Sequence, residues 1–433
     1  MPAESWSLPS SDEVKAWSAI LIRLATFHSA TLSRAAAYLA IGSAASVIVS
    51  NAVSQMVLAA ALLTLLAARE RPRLPPIRLP LILFFLGTVI ALLVSPDPQA
   101  GLPQLKKFYV YLVLVVMYTA LRGVEDVRRI VLLWAGLAAA SGVWSFEQFF
   151  RKRAEASASG EDFYLYYVAN RATGFMSHWM TFSAEQMIAG LMLTAVLMFG
   201  AFRFGAQRWK RVWVFTALGV IGGSLMIAWT RSVWLAAIIG FVYLISVWRP
   251  KMLLLTPVAG AALWFIAPHS AQERILSIYE PRSQDSNEHR LVTFRTGLEM
   301  IRAHPWFGIG PDMVKRDFEK YVPADISRPL PEGYYGHLHN VYLQYAADRG
   351  IPTLLALLWL IGKAMRDFIR AVRGLGPEER LRRAILHGAL AVTIAVLTEA
   401  VFEYNLGDSE VLNMFLVVVA AGYIAADREA ARA

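Results

Sequence analysis

Two histidines in a His-x-His pair stand just ahead of an asparagine and a long apolar run, in GYYGHLHNVYLQYAADRGIPTLLALLWL (333–360). An imidazole at such a boundary can act as a general base near neutral pH. His339 and His337 are the candidates. The plain alternative is that both are interfacial polar groups and Asn340 caps the helix that follows. Tyr342, Gln344 and Asp348 continue the same stretch. His-x-His can also chelate a metal, but no third His, Asp or Glu stands nearby at ligand spacing, so no metal is expected. A second group is arginine: Arg171 in NRATGFMSHWM, Arg231 in AWTRSVW and Arg290 in NEHRLVTFRTG. Guanidinium binds phosphate oxygens in bidentate fashion, so a converging set would suit a diphosphate. Any one of them alone is better explained by lipid headgroups or by pairing with Glu273, Glu280, Asp285 or Glu288. Lys106 and Lys107 either join the phosphate set or snorkel to headgroups. Glu399 and Glu403, four apart, share a helix face and could pair with an arginine or receive protons; structural pairing is the expectation, as for Glu185. Asn340, Tyr342 and Glu399 are the supporting candidates. Gly308 and Gly310 follow no strand, so a nucleotide-binding loop is not expected.

The elements that must position these residues are apolar. The 433 residues are 57% hydrophobic and 17% charged, with a mean hydropathy of +0.46. Soluble chains are nearer one quarter charged. This balance excludes a soluble enzyme, a disordered chain and a nucleic-acid-binding domain. The net charge of +10 is carried by Lys and Arg in short loops between apolar runs, as in membrane proteins. With no cysteine there is no thiolate chemistry and no disulfide. A span needs roughly 20 apolar residues. Twelve candidates lie near 35–50, 53–68, 79–95, 106–122, 129–148, 182–202, 210–229, 232–248, 252–268, 340–362, 382–402 and 409–426. The first two are separable only by Ser50, Asn51 and Ser54.

With the N-terminus inside, the inner loops hold Arg69 to Arg78, Arg122 to Arg129, Arg203 to Arg211, Arg249 with Lys251, and the basic stretch 363–383. The outer turns at Asn51 and Leu406 hold none, so both termini are expected to be cytoplasmic. No cleavable signal peptide is expected. Residues 1–34 read as a cytoplasmic amphipathic segment, 35–268 as spans one to nine, 269–338 as a large outer helical loop, 339–426 as spans ten to twelve and 427–433 as a cytoplasmic tail. A second outer segment covers about 149–181. Within the large loop, Leu291, Phe294, Leu298 and Ile301 form an apolar stripe at helical spacing. HPWFGIGPDM (304–313) breaks that helix, Pro311 suits a first helical position, and Val314, Phe318 and Tyr321 suggest another short helix. Aromatics at 144–150, 163–167 and 334–335 read as an interfacial belt. The expected fold is an all-α polytopic membrane protein.

The text NEHRLVTFRTGLEMIRAHPWFGIGPDM…HLHNVYLQYAADRGIP, with RATGF (171–175) and TRSVW (230–234), resembles the O-antigen ligase/polymerase family of bacterial envelope glycosyltransferases. In that family an Arg-containing helix precedes Pro-x-x-Gly-x-Gly and then a His-Asn pair opening a span, here Arg290, Pro305 to Gly310, and His339-Asn340. The resemblance covers roughly 170–360 by motif and the rest by layout. It is closest to an O-antigen ligase of a Gram-negative inner membrane. It implies a GT-C-like helical fold with a periplasmic site and no metal or other cofactor. The donor would be O-antigen on undecaprenyl diphosphate, the acceptor a sugar hydroxyl of lipid A–core, and the surroundings a phospholipid membrane. Two essential arginines and a histidine of the family fall on Arg290, Arg231 or Arg171, and His339. The implied mechanism has neutral His339 taking the acceptor proton while basic residues stabilise the departing diphosphate, with inversion. An O-antigen polymerase and a protein O-oligosaccharyltransferase share these motifs. A transporter would need ionisable groups at mid-span depth, and a scaffold would not need converging arginines.

Overall fold

The computed structural model describes residues 11–200, 208–266, 269–277 and 287–427. Arg203, Glu280, Asp285 and most of the C-terminal tail lie outside the described residues. Among the described residues the regular elements are helices: α1 (Ser11–Ser46), α2 (Asn51–Ala67), α3 (Arg78–Val94), α4 (Pro98–Lys106), α5 (Leu112–Ala120), α6 (Val124–Ser159), α7 (Phe163–Ala169), α8 (Trp179–Met198), α9 (Arg208–Ile227), α10 (Arg231–Trp248), α11 (Thr256–Ile266), α12 (His269–Leu276), α13 (Asn287–Ala303), α14 (Met313–Asp317), α15 (Val341–Arg373), α16 (Arg380–Glu399) and α17 (Ser409–Ala426). Among the described residues seven helical stretches, counting 98–120 through α4 and α5 as one, are long and apolar enough to cross a membrane; α2, α3 and the stretch 250–266 are apolar but shorter. Each of the twelve apolar runs overlaps a helix. Large apolar side chains such as Leu63, Ile82, Phe215, Ile238 and Leu254 are exposed on the outer faces, as lipid solvent permits and water does not.

α8 stands at the centre, buried continuously from Thr181 to Val196. It packs against α16, α9, α6, α10 and α17, while α15 packs along α3 and α13. The amphipathic N-terminal segment and the first apolar run are one continuous helix, α1, because nothing between them stops it. α1 and α2 are separate helices, with Ser50 capping the second by accepting from Val53 N at 3.4 Å. The expected outer segment from 149 is helical to Ser159, where Gly160 at φ +73° terminates α6.

α13 corrects the expected apolar stripe. Leu291 and Phe294 are exposed, and the buried face is His289, Val292, Thr293, Thr296, Gly297 and Met300. The short side chains let Leu338 approach: a Cβ on Gly297 would lie 2.8 Å from Leu338 Cδ1. Pro311 precedes α14 rather than opening it, and Asp312, at φ +65°, holds the cap position. The Pro305–Gly310 text folds onto a kink in α15 at Gly350, φ +82°. Ile309 N donates to Ala347 O at 2.8 Å, Gly310 N to Asp348 O at 3.1 Å, and Ile351 N to Pro305 O at 2.8 Å. Carbonyls that the kink removes from the helical ladder are thereby paired. The two glycines serve this clamp.

Candidate active site

Arg171, Arg231, Arg290, His337 and His339, over 160 residues apart at the extremes of the sequence, line one cavity of about 460 Å³. α8, α10 and α13 bring their N-terminal ends to it. Two residues in left-handed backbone aim the chain: Trp229 at φ +50° just before α10, and His339 at φ +48° just before α15. Such geometry is strained for a residue with a Cβ and recurs at functional sites. The turn at His339 is fixed from both sides. Asn340 caps α15, accepting from Leu343 N at 2.9 Å, and donates to Val401 O at 2.8 Å. Val341 N donates to Ala400 O at 2.8 Å. Asn340 is thus the positioning cap that its place in the sequence suggested.

The arginines are held differently. Arg231 donates to Ser277 Oγ and Asn287 Oδ1, both at 3.0 Å. Arg171 lies over the Trp179 ring at 4.9 Å and donates to Val168 O at 3.1 Å. Burial, with the charges of Arg274, Arg231 and Arg290, pushes Arg171 down to about 9, so it is still cationic at neutral pH. Burial also lowers Arg290, against the pull of Glu403. Among the described residues, no hydrogen bond or ion pair engages the Arg290 guanidinium, although it is half-buried. A cationic fork in that condition is suited to an incoming anion. A fourth guanidinium, Arg274, is 3% exposed and joins the cavity through Trp229 O at 3.3 Å and Tyr164 Oη at 3.2 Å.

The histidines are organised by Glu403. His339 Nδ1 is 3.2 Å from Glu403 Oε2, and His337 Nε2 is 3.9 Å from Oε1. Burial would raise Glu403, but the hydrogen bond and charge of His339, with His337 and Arg290, hold it down to about 2. It is a carboxylate. His339 Nε2 lies 3.1 Å from the carbonyl oxygen of Tyr334, which also accepts from His289 Nε2 at 3.1 Å. Both neighbours of the His339 ring are acceptors, and a neutral ring can donate to only one of them. That differs from the expected neutral base with an open nitrogen: Nε2 must first part from the Tyr334 carbonyl. His337 accepts the His339 backbone N–H at Nδ1, 3.3 Å away. Burial, then the charge of His339, pushes His337 down to about 4, and the same causes bring His289 to about 4. Both are neutral at physiological pH.

Several expectations fall elsewhere. Lys106 is exposed and outside the cavity; Lys107 donates to Gly407 O at 2.9 Å and lines a neighbouring cavity. Tyr342 donates to Leu397 O at 2.8 Å, and Glu399 accepts from Asn405 Nδ2 at 3.1 Å, so neither reaches the arginines. Glu185 does not pair: among the described residues both its carboxylate oxygens lack a hydrogen-bond partner. Glu273 meets His269 at 3.4 Å. Sequence reading missed Arg274, His178, His289 and Glu403 as lining residues. For Glu403 the signal was its place one turn beyond Glu399 at the end of an apolar run. The absence of a third metal ligand is also corrected. His337, His339 and Glu403 offer donor atoms within 4.8 Å of one another. Four guanidiniums around them oppose a divalent cation.

No curated protein matches the chain. Residues 217–358, which carry Arg231, Arg274, Arg290, the Gly308–Gly310 clamp and both histidines, match the family model described as O-Antigen ligase.

Proposed function

We propose that the chain is an O-antigen ligase that moves a polysaccharide from undecaprenyl diphosphate onto a sugar hydroxyl of lipid A–core. The family supports ligase- or polymerase-type glycosyl transfer in general. The observation that carries the finer reading is the guanidinium of Arg290, unengaged among the described residues, in one cavity with Arg171, Arg231, Arg274 and the His339–Glu403 pair. In this reading twelve helices cross the bacterial inner membrane, both termini are cytoplasmic, and the cavity faces the periplasm.

The arginines bind the diphosphate and take up the negative charge it gains as the glycosidic bond breaks. They supply the positive charge that a metal supplies elsewhere. Glu403 accepts from His339 Nδ1 and so fixes the orientation of the ring. With its one ring proton on Nδ1 toward Glu403, neutral His339 turns Nε2 from the Tyr334 carbonyl to the acceptor, and Nε2 accepts the hydroxyl proton. The acceptor oxygen forms a bond to the anomeric carbon from the face opposite the diphosphate. The bond from that carbon to the diphosphate oxygen breaks, its electron pair leaves with undecaprenyl diphosphate, and the centre inverts. Lys106, Lys107 and Tyr342 have no part in this step.

The test is expression in a Gram-negative strain lacking its own ligase, beside His339→Ala and Arg290→Ala, with lipopolysaccharide resolved on a gel. A ladder on lipid A–core that disappears in both variants is expected. Longer glycan remaining on the carrier would instead indicate a polymerase, and glycosylated protein a protein transferase. Full ladders from both variants would sink the mechanism.

A further inference from the structure

The wall formed by His337, Glu403 and Tyr334 has a second cavity behind it, of about 400 Å³. His178 and Met180 also face both spaces. Across the wall acidic side chains replace the basic ones. The second cavity is lined by Asp312, Glu399, Asp408 and Glu410 beside the shared Glu403, and among its described lining residues Lys107 is the one other ionic group of opposite sign.

These acceptors are fixed in place. Asp408 caps α17, accepting from Glu410 N at 3.0 Å and Val411 N at 3.3 Å, and also accepts from Thr181 Oγ1. Asp312 is held in left-handed backbone and accepts from Gln104 Nε2 at 2.9 Å. Lys107 is tied to Gly407 O at 2.9 Å. A further observation points to a ligand. Asn405, 3% exposed, lines the cavity and commits its Nδ2 to Val396 O at 3.0 Å and Glu399 Oε2 at 3.1 Å. Its Oδ1 has no hydrogen-bond partner among the described residues. A buried carbonyl oxygen without a donor is costly. What would satisfy this oxygen, beside the acidic lining, is a molecule that brings O–H or N–H groups.

We propose that this cavity is the acceptor-sugar site, and that it selects a sugar ring bearing hydroxyl or ammonium groups and rejects a ring that itself bears phosphate or carboxylate. The assignment rests on the transfer reading above for the role of the sugar, though not for its binding. The change of lining keeps the substrates apart. A diphosphate is drawn to the arginines and disfavoured beside Asp312, Asp408 and Glu403, while a polyhydroxylated ring finds acceptors on the other side. The acceptor hydroxyl then reaches the reacting carbon at the shared wall, beside the Tyr334 carbonyl that holds His339 Nε2.

The chain has no cysteine, so a single introduced thiol reports one cavity without background. Ser177 is exposed and lines only the acidic cavity; Glu332 is exposed and lines only the basic one. Ser177→Cys and Glu332→Cys, each in lipid nanodiscs, are labelled with a maleimide in the presence of dodecyl glucoside, dodecyl glucosaminide, dodecyl glucoside 6-phosphate or inorganic diphosphate. At saturating concentration, the neutral and amino glycosides are expected to slow labelling of Ser177→Cys about tenfold and to leave Glu332→Cys unchanged. Diphosphate is expected to do the reverse, and the phosphorylated glycoside to protect Ser177→Cys only when Asp312→Asn and Glu410→Gln are added. Protection of Glu332→Cys alone, equal protection of both thiols, or equal protection by the phosphorylated ring would overturn the proposal. If protection follows the expected pattern while the unmodified chain transfers no glycan to any acceptor, the transfer reading falls and the sugar site stands.

Discussion

Glu403 is the residue on which both histidines turn. It touches His339 at 3.2 Å and stands 3.9 Å from His337, and it is held ionised by the charges around it. Only His339 is within hydrogen-bonding distance, which singles it out between the two as the base in the proposed step. Removing the base should lower kcat by about 10²–10⁴. Glu403→Gln keeps the shape and loses the charge, so its effect should be smaller, about tenfold or more in kcat with KM for the donor little changed. A donor KM that rises while kcat holds would instead mean that Glu403 serves binding. His337 and His289 add a pH signature to stability. Each is pushed from the usual histidine range to about 4. A depressed value means the unfolded chain binds the proton first as pH falls. The stabilising contribution is therefore intact above about 6.5 and lost progressively toward 4. The thermal midpoint of purified protein should fall across that window, and His289→Gln should flatten part of the fall. An unchanged slope in the variant would contradict the assignment.

At the scale of elements, the Pro305–Gly310 clamp on α15 decides whether the site exists at all. It holds the kink at Gly350 and with it the upper turn of α15, from which His339 and Asn340 emerge. A Cβ on Gly350 would lie 2.0 Å from Trp306 O, and one on Gly308 2.4 Å from Asp348 C, both at positive φ. Gly350→Ala should therefore cost at least about 2 kcal/mol, seen as a lower melting midpoint. Gly362→Ala, on the same helix with nothing within 4 Å of the added Cβ, should be neutral or slightly stabilising. Equal melting of the two would remove the clamp argument. The sequence made the helices legible because apolar runs of span length have few alternatives in lipid. It marked the motif without revealing its purpose, since the partner carbonyls of Ala347 and Asp348 lie some 40 residues away. The face of α13 was misread for a related reason. Spacing reports a stripe of large apolar residues, but the buried side of this helix is made of Thr296, Gly297 and Val292, chosen for close approach, while Leu291 and Phe294 face outward.

Across the whole molecule, charge is sorted on the two sides of a thin wall. Arg171, Arg231 and Arg290 were legible because basic residues in segments expected outside escape the orientation rule that accounts for the others. Their convergence is a tertiary fact, and so is the change from basic to acidic lining behind His337. Arg274 escaped notice among neighbouring acidic residues, and the acidic cavity draws on α4, α8, α16, α17 and the turn at Asp312, which no local pattern links. This sorting bears on the metal question. His337, His339 and Glu403 have the right donor atoms for a divalent cation, yet the same three groups face four guanidiniums. If the arginines supply the charge that stabilises the leaving diphosphate, transfer by purified protein should persist after exhaustive chelation with EDTA. Added Mg²⁺ should not restore Arg290→Ala, because a cation drawn to Glu403 would occupy the base rather than the diphosphate. Loss of transfer on chelation, recovered with a divalent ion, would instead make the His-x-His pair and Glu403 a metal site and leave the proton of the acceptor hydroxyl to another group.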